Sequence, residues 1–287
     1  MNTQAIKLRE AMNQGVVMCP GAWNGLVGSA VADAGFQSCY ISGGATANAS
    51  GYPDIGIISL TEMCRTIKEI SNASNLPVIV DADTGYGEIE CLSRTVVEYE
   101  RSGAAGMHIE DQVFPKRCGH LDGKTLISKS AMVEKIKTAS QNRRTKEFIL
   151  IARTDARGVD GMDAAIERGN AYREAGADMI FPEGLRSKEE FAEFAKQCSG
   201  LLLANMTEFG KTPHLTAQEF GGIGYDLVIY PVTFQRVAMG AISKCLKQLK
   251  TDGSAEGFEN QMQTRQELYD LLGYVPGESW NFPNQAR

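Results

Sequence analysis

The stretches "VIVDAD" (78–83) and "GMHIED" (106–111) decide the fold. Each is a short, nearly unbroken apolar run that ends in carboxylates. A strand with one wet face alternates apolar and polar residues. A strand buried on both faces does not, and that is the pattern of a parallel sheet covered by helices. Six further runs share it: "VVMCPG" (16–21), "CYISGG" (39–44), "FILIARTD" (148–155), "MIFPE" (179–183), "LLLAN" (201–205) and "LVIYP" (227–231).

Helical patterns lie between most of these runs. Capping boxes are expected at Ser59–Glu62, Ser187–Glu190 and Thr216–Glu219. "GMDAAIERGNAYREAG" has helical composition and closes on Gly176, a plausible C-terminal cap. Eight strands alternating with helices imply an α/β chain folded as a (β/α)8 TIM barrel. The alternative is a doubly wound open sheet. It finds no support in a G-x-G-x-x-G after the early strands or in a P-loop.

Two segments break the rhythm. Residues 112–127, holding "FPKRCGHLDGK" (114–124), are inserted between the fourth strand and its helix and read as a lid. After residue 253, "TDGSAEG" reads as a linker, "FENQMQTRQELYDLLGY" as one more helix, and "VPGESWNFPNQAR" as irregular. The expected organisation is a barrel over 1–253 and a helical segment with tail over 254–287, either part of the same domain or lodged on a neighbour.

The 287 residues, 43% hydrophobic and 22% charged, suit one barrel of about 250 residues plus an extension. A net charge of −6 argues against a nucleic-acid partner. No apolar run approaches the roughly 20 residues of a membrane span. "MNTQAIKLREAMNQG" reads as an amphipathic helix of mixed charge, not a signal peptide. The seven cysteines show no C-x-x-C spacing and are odd in number, so neither a zinc site nor a disulfide framework is expected. A reducing cytoplasm, or an organelle matrix, fits that usage.

In a barrel of this kind the chemistry sits at the C-terminal ends of the strands. Asp81 and Asp83, two apart, are expected on one face, and Asp54 and Glu110 could join them. Four converging carboxylates would raise one another's pKa. A hard divalent cation relieves that, and an all-oxygen set favours Mg2+, with Mn2+ as the alternative. Arg153 and Asp155 share a face at the end of the fifth strand. Arg153, Arg236 and Arg265 are candidate partners for an anionic small molecule, and "SGG" (42–44) offers backbone N–H groups for a carboxylate. On the lid, Lys116, Arg117 and His120 are expected to lower the pKa of the Cys118 thiol, a candidate nucleophile or proton donor. His108 shares a face with Glu110 and reads as a packed core histidine.

"PKRCGH", "VDAD", "YISGG", "HIED", "ARTDA" and "TRQELY" together resemble the isocitrate lyase/phosphoenolpyruvate mutase superfamily, with matching motifs from about residue 16 to 273. The K-[KR]-C-G-H loop marks its carbon–carbon lyase branch, and the length is similar to that of the short methylisocitrate lyases. The resemblance implies a barrel whose last helix swaps between subunits of a homotetramer. It implies Mg2+ held by Asp81 and Asp83, with Asp54 and Glu110 acting largely through water. It places a di- or tricarboxylate against Ser42, Gly43, Gly44, Asp54, Cys118, Gly119, Arg153, Glu183, Asn205, Met206, Thr207, Arg236 and Arg265. The implied reaction is a retro-aldol (Claisen-type) cleavage of 2-methylisocitrate to pyruvate and succinate, with 2,3-dimethylmalate and oxaloacetate as alternative substrates. Tyr40 is the candidate base and Cys118 the acid. Lys116, His120 and Arg153 complete the catalytic set.

Overall fold

The computed structural model describes residues 1–281; residues 282–287, the end of the expected tail, lie outside the described residues. Eight parallel strands form one sheet: β1 (Val17–Pro20), β2 (Cys39–Ile41), β3 (Val78–Asp81), β4 (Gly106–Glu110), β5 (Ile149–Thr154), β6 (Met179–Pro182), β7 (Leu201–Asn205) and β8 (Leu227–Tyr230). Their order, β1-β8-β7-β6-β5-β4-β3-β2, is a barrel in which a single bridge, Gly21 to Tyr40, links β1 to β2. The helices are α1 (Thr3–Gln14), α2 (Gly25–Asp33), α3 (Gly43–Ala49), α4 (Leu60–Ser74), α5 (Ile89–Ser102), α6 (Lys129–Asn142), α7 (Met162–Glu174), α8 (Lys188–Gln197), α9 (Ala217–Ile223), α10 (Thr233–Asp252) and α11 (Arg265–Leu272). The near-barrel with a C-terminal helical extension matches the expected architecture.

Period-two alternation along each strand separates two cores. Val78, Val80, Met107, Ile109, Leu150, Ala152, Ile180 and Leu202 face outward and pack under the helices. Ile79, Ile149, Ile151, Met179, Phe181, Leu203, Leu227 and Ile229 fill the barrel interior. Ala5, Leu8 and Met12 of α1, spaced three and four apart, join that interior cluster and so plug one end of the barrel. Burying one such leucine contributes about 1.5–3 kcal/mol. The plugged end leaves the opposite mouth, at the strand C-termini, as the open one.

Three local expectations are corrected. The run "CYISGG" is strand only to Ile41, because Ser42 accepts from Ala45 N–H and starts α3 at Gly43. The boxes at Ser59–Glu62 and Thr216–Glu219 are complete, but at Ser187 only half forms. There Glu190 turns away to the Arg186 N–H and the Arg157 guanidinium. The helix expected in "FENQMQTRQELYDLLGY" is two pieces, a 3-10 turn (Glu256–Gln261) and α11, restarted by a Thr264–Glu267 capping box. Before them, α10 carries the exposed apolar side chains Met239, Ile242, Leu246 and Leu249 along one stripe.

Candidate active site

Strand parity sets the floor of the site. The inward positions that fill the barrel with aliphatic side chains continue, two residues on, into polar ones: Ile79 to Asp81, Ile151 to Arg153, Phe181 to Glu183, Leu203 to Asn205. Register then makes neighbours of them, Asp81 beside His108, Glu110 beside Arg153, Arg153 beside Phe181. The mouth is a cavity of about 160 Å³ lined by Asp81, Arg153, Phe181, Glu183 and Asn205 together with Tyr40, Ser42, Gly44, Asp54, Thr207, Arg236 and, from the lid, Lys116, Cys118, Gly119 and His120. That is smaller than the roughly 300 Å³ at which ordinary ligand pockets begin, because the lid is folded down on it.

The two aspartates of "VDAD" meet by a different route from the expected one. β3 stops at Asp81, and Asp83 follows with φ of 46°, left-handed backbone that a short polar side chain tolerates. Three bonds hold it there: Ala82 N–H to His108 O at 3.0 Å, Glu110 N–H to Asp83 O at 2.9 Å, and Asp83 N–H to Asp81 Oδ1 at 3.0 Å. Such over-determined strain is characteristic of functional positions. Both carboxylates press on Gly43 of α3, and Asp54 presses on Gly44. A Cβ on Gly43 would lie 3.1 Å from Asp81 Oδ2 and 3.3 Å from Asp83 Oδ1, and one on Gly44 would lie 3.0 Å from Asp54 Cγ. The Gly43 N–H, expected to hold a substrate carboxylate, is instead donated to Asp81 Oδ2 at 3.1 Å.

Buried charges here are paired. The Lys116 ammonium reaches Asp54 Oδ1 at 2.5 Å and Asp83 Oδ1 at 3.0 Å. The Arg153 guanidinium faces Asp155 at 2.9 Å, Glu110 at 3.2 Å and Glu183 at 3.3 Å, and lies 5.2 Å over the Phe181 ring. His120 Nε2 is 3.1 Å from Glu183 Oε1, and Asn205 donates to the other oxygen at 3.1 Å. Arg236, which is exposed, is bound to Glu208 Oε2 at 2.9 Å and to Thr207 Oγ1 at 3.2 Å.

These surroundings tune the groups. Burial pushes Asp83 up to about 6, with Lys116 opposing and Asp81 adding. Burial likewise lifts Glu110 well above the usual carboxylate range, against Arg153 and Lys116. For Asp81 burial is outweighed by His108, Lys116 and Arg153, which hold it low. For Glu183 burial is outweighed by Arg153 and His120, which hold it well below its usual range. Burial, with Asp81 next, keeps the Tyr40 phenol protonated. His108 is fully buried, stacked on Tyr40 and edge-on to Phe181, as a core histidine should be. It also meets the Tyr40 hydroxyl at 2.8 Å through Nε2, and burial lowers its pKa to about 4, so it is neutral at pH 7.

The lid reverses one expectation. Its cations do not surround the thiol: Lys116 points into the carboxylates, and Arg117 bonds the Asp122 carbonyl at 3.3 Å. Burial therefore dominates, and the Cys118 thiol is raised, not lowered. Gly119 is needed for close approach, since a Cβ there would stand 2.5 Å from Glu183 Cγ.

Arg265 does not line the mouth of its own chain; it is exposed on α11, which packs against α2. Met206 is buried and bonds Ile229 O through its N–H. Five lining residues, Asn48, Phe181, Ile229, Pro231 and Val232, escaped the sequence reading. Phe181 was within reach of it, being two before Glu183 in "MIFPE".

Among the described residues no three His, Cys, Asp or Glu side chains converge tightly enough to hold a metal directly. The donor set still fits a hydrated cation. Both Glu110 carboxylate oxygens are buried without a hydrogen-bond partner, and every nearby candidate ligand is oxygen. Mg2+ keeps several waters and needs only one or two carboxylates.

Fold and site together define a (β/α)8 barrel with an acid- and arginine-lined mouth under a cysteine-bearing lid. Residues 8–250 match the phosphoenolpyruvate phosphomutase family. The chain is 49% identical over 260 residues to a probable 2-methylisocitrate lyase of Corynebacterium glutamicum, covering 90% of this chain and 85% of that one. It is 42% identical to a 2,3-dimethylmalate lyase of Eubacterium barkeri, with 95% of each covered. A solved oxaloacetate acetylhydrolase in complex with 3,3-difluorooxalacetate superposes with a TM-score of 0.89 at 36% identity, over 94% of this chain and 93% of that one. The chain belongs to the phosphoenolpyruvate mutase/isocitrate lyase superfamily.

Proposed function

We propose that the chain is a Mg2+-assisted carbon–carbon lyase that cleaves 2-methylisocitrate to pyruvate and succinate. One observation carries the reaction class: a thiol kept protonated by burial, on a lid that closes over the same cavity as Asp81, Arg153 and Tyr40. A pair of arginines and a protonated acid above a carboxylate floor suits a step that makes a carbanion beside a new keto acid. The probable 2-methylisocitrate lyase and the 2,3-dimethylmalate lyase that the chain resembles are both lyases by name.

The substrate hydroxyl passes its proton through the Tyr40 hydroxyl to the neutral His108 at 2.8 Å, and His108 gives that proton back to solvent before the next turnover. The hydroxyl oxygen becomes the pyruvate carbonyl as the adjacent C–C bond breaks. The bonding pair stays on the other fragment as the aci-carboxylate of succinate. Cys118 gives its S–H proton to that carbon, and the thiolate is reprotonated from solvent. A cation held by Asp81 and Asp83, with Asp54 and Glu110 behind water, would supply positive charge to the developing keto-acid oxygens. Arg153 offsets dianion charge, and the closed lid excludes water that would quench the carbanion early.

A smaller diacid, 2,3-dimethylmalate or oxaloacetate, is the second reading. The tight cavity favours it, and so does Arg236, already neutralised by Glu208 and not free for a third carboxylate. A substrate panel with product detection separates the two. Release of pyruvate and succinate from 2-methylisocitrate, abolished by EDTA and restored by Mg2+, is expected. Turnover of only dimethylmalate or oxaloacetate moves the assignment to the second reading, and turnover of phosphonopyruvate alone removes both. The apolar stripe of α10 supports the expected homotetramer; light scattering that returns a single-chain mass would contradict it.

A further inference from the structure

The geometry points to Gln112 and Lys124 as positioning residues that clamp the Cys118–Gly119 dipeptide from its two flanks and so aim the thiol.

The lid rises from a zipped stem. Gln112 pairs with Leu126 in an antiparallel bridge, Val113 N–H donates to Thr125 O at 2.8 Å, and Ile127 N–H to Asp111 O at 2.9 Å. From each side of this stem one long side chain reaches up to the tip. The Gln112 carboxamide accepts from Arg117 N–H and donates to Arg117 O, both at 2.9 Å. It thereby saturates the backbone of the residue just before Cys118, as a neighbouring strand would. Gln112 is 2% exposed, so its side of both bonds is buried. From the other side the Lys124 ammonium bonds Gly119 O and, at 2.7 Å, Asp155 Oδ1. Asp155 is fully buried and also holds Arg153 by two bonds, at 2.9 and 3.2 Å. The carbonyl after Cys118 is thus tied through one carboxylate to the arginine that lines the cavity.

Neither residue lines the cavity, and neither needs to touch a ligand. What they fix is φ and ψ on both sides of Cys118, in a loop whose tip otherwise depends on contacts made only when it is down. Breaking these bonds would leave the buried Gln112 carboxamide without partners, which is unfavourable. The Gln112 half lies within the lid, and the Lys124 half ties it to the barrel through Asp155.

The test uses intact protein and two readouts, because the effect on turnover rests on the lyase reading and the effect on thiol exposure does not. The first readout is the rate at which iodoacetamide alkylates Cys118, followed by peptide mapping. In Gln112→Ala and in Lys124→Met it is expected to rise about tenfold or more, since the tip opens locally while the barrel stays folded. Gln112→Glu, which loses the donor half, should behave like Gln112→Ala. Lys124→Arg, which keeps a cation, should stay within about threefold of the parent. The second readout is the kcat-against-KM split on 2-methylisocitrate. Misaiming a proton donor by about 1 Å should lower kcat roughly 100-fold and leave KM nearly unchanged. Unchanged alkylation in both Gln112→Ala and Lys124→Met overturns the clamp, as does a loss confined to KM. Raised alkylation in a protein that cleaves none of the acids supports the clamp and removes the lyase reading alone.

Discussion

Cys118→Ser is expected to keep the fold and, on the proposed lyase reading, to lose at least about 100-fold in turnover, the usual scale for a general acid. The change is nearly isosteric, and the contacts that hold the lid down belong to its neighbours: Lys116 to Asp54 and Asp83, His120 to Glu183, Lys124 to Asp155. Closure should therefore survive. What changes is proton donation, since an alcohol gives up its proton far less readily than a thiol. A kcat near the parent value, with lid contacts intact, would reject Cys118 as the donor.

Arg153→Met should be the more damaging change overall. The guanidinium is the shared countercharge of Glu110, Asp155 and Glu183, all essentially inaccessible to solvent. Removing one partner of a buried charge cluster typically costs about 3–5 kcal/mol. The sign of its pH dependence follows from Glu183, whose carboxyl Arg153 helps hold below the usual range against burial. A depressed carboxyl pKa contributes stability above the unfolded value of about 4.3 and loses it as pH falls through the folded value. The parent should therefore exceed the variant most at neutral pH, and the gap in urea midpoint should shrink below about pH 4. A gap that is constant with pH would mean the loss is packing against Phe181 and not charge. Activity should fall with it, by about 10²–10³ for a lost charge stabiliser. Arg153→Lys should recover stability better than turnover, because an ammonium supplies charge without the planar fork.

Much of this was legible in the sequence, for identifiable reasons. The eight buried runs, their order and the side chains at their ends follow from period-two alternation and doubly buried strands, and Asp81, Glu110, Arg153 and Glu183 all stand where that pattern puts them. What the sequence hid lies where the chain leaves regular geometry. Asp83 reaches its place by left-handed backbone and not by strand parity. The lid cations sit next to Cys118 in sequence, but their long stems carry the charge elsewhere, and the local reading of a lowered thiol pKa fails for that reason. Lys124 and Gln112 gave no signal at all, because their partners are backbone groups of a folded-over loop and, for Lys124, a carboxylate 31 residues away on the barrel. Arg265 depends on how α11 is placed, and within one chain that placement is away from the mouth.

The most direct measurement is the protonation state of Cys118, taken as the difference in thiolate absorbance near 240 nm between the parent protein and Cys118→Ser across pH. A buried proton donor raised above the ordinary thiol value should show no difference at pH 7 and a rise only above the range in which an exposed thiol ionises. A full thiolate difference already present at pH 7 would contradict it, since an ionised sulfur has no proton to give.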